Sequence, residues 1–128
     1  MADHTRLLGI AGWRNSGKTR LVRGLIPVLR DRGVRVATIK HAHHAFDVDQ
    51  PGKDSYEHRQ AGAREVLISS AKRWALMHEH AADEPEPTLR DLLPKLSPVD
   101  LVLVEGFKRE THPKLEVHRP SLGKPLLA

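Results

Sequence analysis

The apolar positions change period several times along the chain, and each change marks an element. Leu7 to Ala11 is a short, almost continuous apolar run, the pattern of a buried strand. From Lys18 to Arg32 the period becomes helical. Leu21, Val22, Leu25, Ile26 and Leu29 make one face, and Arg20, Arg23, Arg30 and Arg32 fall largely between them. Gly33 is placed to close this helix, and the basic last turn suits the negative end of its dipole. Pro27 lies inside the pattern and predicts a kinked or split helix. Val34 to Lys40 alternates and is rich in β-branched residues, so it reads as a second strand. Strand, helix, strand is a βαβ unit, and a parallel sheet follows from it.

Periodicity is lost over residues 41–55, which include Pro51-Gly52. This is a loop leaving the carboxyl end of the second strand, the edge where open parallel sheets bind ligands. Asp54 or Ser55 is placed to cap a helix through Tyr56, Arg59 and Ala61 that stops at Gly62. Glu65 to Ser69 and Arg73 to Glu79 read as strands joined by a turn at Ser70-Ala71-Lys72. Residues 80–87 read as an exposed acidic loop. Thr88 caps a short helix that Pro94 interrupts. Leu101 to Glu105 is the most apolar strand and should be central, covered on both faces. Lys114 to His118 is one more candidate strand. The expected architecture is a single α/β domain, a mainly parallel sheet flanked by helices in three αβα layers, with no internal repeat or linker.

Against this scaffold, residues 12–19 stand out. Gly12-Trp13-Arg14-Asn15-Ser16-Gly17-Lys18-Thr19 is G-x-x-x-x-G-K-[ST], the Walker A phosphate-binding loop, with a strand before it and a helix after it. Gly12 and Gly17 allow successive N–H groups to converge on one anion. Lys18 is placed to reach the β- and γ-phosphates, and the Thr19 hydroxyl to ligate Mg²⁺. The helix opening at Lys18 adds its positive end.

Composition narrows the ligand. The chain carries a formal charge of +5, which suits a polyanion. Its basic residues are dispersed and only 4% of residues are aromatic, so neither a stacking platform nor a basic tail for nucleic acid is visible; the charge reads as serving small anions, with nucleic acid the weaker alternative. With no cysteine, disulfides and thiolate metal sites are excluded, and a cytoplasmic setting is the simplest reading. No apolar run has the length of a membrane span.

Asp100-Leu-Val-Leu-Val-Glu105-Gly106 has the form of a Walker B strand. Glu105 would emerge beside the phosphate loop to hold Mg²⁺, and Gly106 would let the backbone pass close to the phosphates. Asp100 begins the strand and points to its other end. His41, His43 and His44 follow Lys40 directly. They read either as a transition-metal cluster, as an anion-binding lip together with Lys40, or as a solvated loop without a role. Asp47 and Asp49 share that loop with Lys53 and Asp54. Each aspartate is a candidate to contact Mg²⁺ or to orient a water for attack on the γ-phosphate, and each is equally an Asx-turn candidate. Lys18 and Asp49 are the candidate catalytic residues. His112, His118, His78 and His80 belong to no recognisable constellation.

The chain resembles the molybdopterin-guanine dinucleotide biosynthesis protein B (MobB) family. The resemblance rests on GWRNSGKT, on the long block from Thr38 to Ala63, on RWALMHE, and on LVEGFK ending at Lys108. It implies a homodimeric P-loop protein that binds GTP with Mg²⁺, hydrolyses it weakly, and assists a MobA-type guanylyltransferase in joining GMP to molybdopterin. By carry-over, Gly12, Asn15, Ser16, Gly17, Lys18 and Thr19 hold the phosphates. Glu105 and Gly106 match the Walker B region. Lys40, His41, His43 and Lys53 fall in a second ligand-contact region. The VEGF stretch is also similar to the corresponding strand of dethiobiotin synthetase, so an ATP-dependent phosphotransferase or ligase remains an alternative, as does a metal-delivery GTPase using the three histidines. No N/T-K-x-D guanine signature is present, so guanine preference rests on the resemblance alone. Family members usually continue beyond the equivalent of Pro125-Leu-Leu-Ala128, which implies a domain C-terminally short relative to the family.

Overall fold

Two apolar strands meet first at the centre of the sheet. In the computed structural model, which describes residues 5–42, 53–107 and 109–127, β5 (Leu101–Glu105) lies between β1 (Arg6–Ala11) and β2 (Val36–Lys40). A third partner, β6 (Lys114–Glu116), pairs on the far side of β1, giving the order β2-β5-β1-β6. All of these pairings are parallel. Val102, Leu103 and Val104 of β5 and Ile10 of β1 are almost wholly buried, as a strand covered on both faces requires. Truncating one of them, for example Leu103→Ala, removes about 2–5 kcal/mol of stability.

Alternation of side chains divides this core between two layers. Val102 and Val104 pack with Leu89 and Leu93, joined by Leu7, Ala37, Ile39 and Leu96. Leu89 belongs to α3 (Leu89–Leu92), and Leu93 to the 3-10 turn Leu93–Lys95 that continues it. On the other face Ile10 and Leu103 share a cleft with Val22 and Ile26 of α1 (Lys18–Asp31). Helix, sheet, helix is the three-layer αβα arrangement expected for a P-loop protein.

The anticipated elements are all present, with three corrections. Helix α1 is a single element that continues through Pro27 rather than splitting there. Pro27 lies on the exposed side and removes only one backbone donor, while the half-buried stripe of Leu21, Val22, Leu25, Ile26 and Leu29 holds the rest against the sheet. Strand β2 begins at Val36 and not Val34, because the two preceding N–H groups are used elsewhere. Val34 N donates to Leu29 O and closes α1, while Arg35 N donates to Asp100 Oδ2 at 2.8 Å. Arg35 and Asp100 also form an ion pair at 3.3 Å, which fixes the amino ends of β2 and β5 together and raises the Arg35 pKa. The third correction concerns α2 (Asp54–Gln60). Lys53, whose backbone is extended, occupies the N-cap position without a side-chain cap bond, so Asp54 is the first helical residue.

The chain divides into two units, Met1–His43 with Thr88–Ala128, and His44–Pro87. The first contains the four-stranded sheet. In the second, α2 precedes an antiparallel hairpin of β3 (Glu65–Ser69) and β4 (Trp74–His78). Its turn is made by Ser70, whose hydroxyl accepts from Lys72 N and Arg73 N. Among the described residues no helix is long and apolar enough to cross a membrane.

Candidate functional site

The carboxyl ends of the parallel strands bring the loop of residues 12–19 and Glu105 to one edge. Register pairs Ile10 with Glu105, and Glu105 with Lys40, so β1, β5 and β2 end level. The loop leaves β1 directly after Ala11. Lys40 and Glu105 project from the same face of the sheet, the one that carries α1. Both line the cleft of about 190 Å³ beneath that helix, together with Thr38.

The loop itself turns in three steps. Ser16 N donates to Trp13 O at 3.0 Å. Asn15 takes a left-handed φ of 66°, a conformation that costs a non-glycine residue energy, and Gly17 at the N-cap follows with φ 107°. Gly12 is needed for space: a Cβ there would stand 2.6 Å from Ser16 Oγ and 2.7 Å from Val117 O. The Ser16 hydroxyl is buried and has no hydrogen-bond partner among the described residues. Leu21 N already bonds Gly17 O, whereas the first N–H groups of any α-helix have no intrahelical acceptor. No acidic residue lies in the first turn of α1 and no side chain caps it. This helix end therefore offers donors and positive potential to an anion. Lys18 is half-buried and Thr19 exposed at its start.

Beyond Glu105 the backbone bends sharply. Gly106 has φ 95° and Phe107 φ 52°. His41 N donates to Glu105 O at 2.8 Å, and the His41 ring stacks on Phe107 with centroids 4.5 Å apart. His41 is thereby held beside Gly106, next to Glu105.

Gly12, Asn15, Ser16, Gly17, Lys18, Thr19, Lys40, His41, Glu105 and Gly106 thus share one edge of one unit. Lys53 belongs to the second unit, before α2. His43, His44, Asp47 and Asp49 lie outside the described residues. Asp100 sits at the opposite end of β5 from Glu105, as its position in the strand predicts.

The segment after β6 also reaches this edge, which periodicity did not foretell. Val117 N donates to Ala11 O at 2.7 Å, immediately before the loop. Trp13 Nε1 donates to Pro125 O at 2.6 Å, and Lys124 Nζ lies 5.5 Å from the centre of the Trp13 ring. Leu127 N donates to Glu116 Oε2. The only local signal was a tryptophan at a variable position of the loop.

Comparison with known proteins agrees with this geometry. A sequence model described as "MobB: Molybdopterin guanine dinucleotide synthesis protein B" matches residues 7–128. The chain is 50% identical over 119 residues to the molybdopterin-guanine dinucleotide biosynthesis adapter protein of Escherichia coli, covering 91% of this chain and 67% of that one. It is 45% identical over 129 residues to the protein of the same name from Haemophilus influenzae, with 98% and 70% covered. The crystal structure of a MobB protein homolog from Bacillus stearothermophilus superposes with a TM-score of 0.65 at 29% identity, over 88% of this chain and 63% of that one. The chain thus spans about two thirds of the length of these relatives. With the family model matched over nearly the whole sequence, this chain belongs to the MobB family.

Proposed function

We propose that the chain is a GTP-binding adapter in the making of molybdopterin guanine dinucleotide, working in the cytoplasm as a homodimer beside a MobA-type guanylyltransferase and molybdopterin-cofactor proteins. The observation that carries the nucleotide part is the phosphate loop at the carboxyl edge of β1, with the buried hydroxyl of Ser16 left for a ligand to satisfy. The adapter part is supported by the names of the relatives from Escherichia coli and Haemophilus influenzae.

In this reading the loop N–H groups, Asn15, Ser16 and Lys18 hold the phosphates. The donor chemistry of Thr19 and Glu105, a hydroxyl and a carboxylate on adjoining elements, fits Mg²⁺, which takes oxygen ligands and keeps several waters. Bound Mg²⁺ neutralises phosphate charge; the protein's share is to position the triphosphate through Lys18 and the start of α1. Lys40 and His41, beside Glu105 at the carboxyl end of β2, suit an anionic second ligand.

Calorimetric titration of GTP, ATP and GDP with Mg²⁺, on this chain and on Lys18→Ala, tests the proposal. GTP binding stronger than ATP binding and weakened at least about tenfold in the variant supports it. ATP binding the tighter favours a phosphotransferase of the dethiobiotin synthetase type. Absence of binding to any of the three in the folded chain counts against a nucleotide role. A single-chain mass by light scattering at micromolar concentration would contradict the dimer.

A further inference from the structure

The hairpin of the second unit gathers two histidines and two glutamates that are far from the phosphate loop in sequence. Glu65 and His78 are directly opposed in the β3–β4 register, so they share a face. Glu65 Oε1 lies 2.9 Å from His78 Nδ1. The other ring nitrogen, His78 Nε2, is 2.7 Å from Glu84 Oε2, and His80 Nδ1 is 2.9 Å from that same oxygen. Glu84 is brought back by a turn in which Glu84 N donates to Ala81 O, while Ala81 N donates to Glu84 Oε1. Three candidate donor atoms, one each from His78, His80 and Glu84, lie within 4.8 Å of one another.

We propose that His78, His80 and Glu84 form a site for a divalent transition-metal ion of the Zn²⁺ class, with Glu65 as a positioning residue. The donor set points to this class: two imidazoles and one carboxylate suit Zn²⁺, Ni²⁺ or Cu²⁺, whereas Mg²⁺ and Ca²⁺ take oxygens alone. Glu65 holds the Nδ1 side of His78 in the way a carboxylate orients a metal-binding imidazole, leaving Nε2 to face the shared point. Glu84 Oε2 is already the common partner of both rings. In a tetrahedral site with bonds near 2.0–2.1 Å, neighbouring donors stand roughly 3.3 Å apart, so an ion entering in place of the shared protons widens these contacts by only about half an ångström. Three protein donors leave a fourth position for water or another ligand.

The frame beneath the cluster is braced. Glu79, between the two histidines, accepts from Arg59 of α2 at 3.0 Å, and its N–H donates to Arg64 O. Arg59 also lies 5.4 Å from the centre of the Tyr56 ring. This site is independent of the nucleotide reading and of the His41, His43 and His44 cluster.

The test uses the whole chain, titrated with Zn²⁺ by calorimetry and with Co²⁺ by visible ligand-field absorption. We expect one equivalent of each to bind. Binding should be lost in His78→Ala and His80→Ala and kept in a variant with His41, His43 and His44 all changed to Ala. Glu65→Gln should keep the Co²⁺ spectrum while weakening Zn²⁺ about tenfold. Absence of Zn²⁺ binding to the native chain, or binding that survives loss of both His78 and His80, overturns the site. Unchanged affinity in Glu65→Gln removes its positioning role.

Discussion

Gly106 and His41 are in such close approach that a Cβ on Gly106 would stand 2.6 Å from the His41 Cβ. Gly106 also has a left-handed φ of 95°. Gly106→Ala therefore meets a backbone penalty and a clash at once, and should lower stability by roughly 2 kcal/mol or more. Urea unfolding measures this. In a His41→Gly background the clash part should vanish and the φ penalty remain, so Gly106→Ala should cost less there than in the native chain. Equal costs in the two backgrounds would mean that the strand end relaxes without His41.

Lys18 and Glu105 sit on different elements and should fail differently. On the proposed GTP-binding reading, loss of the Lys18 ammonium removes charge-assisted contacts worth about 1.5–3 kcal/mol, so Lys18→Ala should weaken GTP roughly 10- to 100-fold with or without Mg²⁺. On the same reading, Glu105→Gln should leave GTP binding without Mg²⁺ close to native and remove whatever affinity Mg²⁺ adds. Titrations with and without Mg²⁺ read the two effects separately.

Helix α3 begins with a doubled cap. Thr88 and Asp91 form a reciprocal capping box, which also lowers the Asp91 pKa. Leu89 N donates to both carboxylate oxygens of Glu110 at 3.2 Å, tying the loop before β6 to the helix that covers Val102 and Val104. Thr88→Ala and Glu110→Gln should each cost about 1 kcal/mol. Their sum should exceed the double variant's cost if the two caps hold one and the same helix end. Guanidinium unfolding of the four proteins settles the coupling.

Local patterns foretold much of this molecule because local chemistry decides it. The Walker A loop needs its residues contiguous, and β5 declares itself by five apolar or terminal acidic positions in a row. The expectation that Glu105 emerges at the edge carrying that loop came from the Walker B form of its strand, and the parallel register of β5 on β1 puts it there. What escaped were outcomes of competition between distant groups. Val34 has the composition of a strand residue, yet its N–H closes α1. Asp54 is a good cap by type, yet the extended residue is Lys53. His78 and His80 looked isolated because their partners depend on hairpin register and on a turn at residues 81–84. Trp13 and Pro125 are likewise joined only by the folded chain.

His112 yields a prediction about acid. Both of its ring nitrogens are buried without partners among the described residues, and the ring lies against β1, where a Cβ on Gly9 would stand 2.6 Å from Nε2. Burial lowers the His112 pKa; nearby Lys114 lowers it further and Glu110 opposes this. A folded pKa below the ordinary value of 6.5 means that the unfolded chain takes up its proton first as pH falls. Stability contributed by neutral His112 is therefore complete above that value and is lost as pH falls through it toward the folded pKa. His78 acts in the opposite sense: hydrogen bonds to Glu84 and Glu65 raise its pKa, so its contribution is lost as pH rises through the folded value. Comparing the native chain with His112→Gln cancels His78, which both proteins keep. From about pH 8 down to about pH 5, the native chain should lose urea resistance relative to the variant. A constant difference in midpoint across that range would show that His112 takes up its proton equally in the folded and unfolded chain.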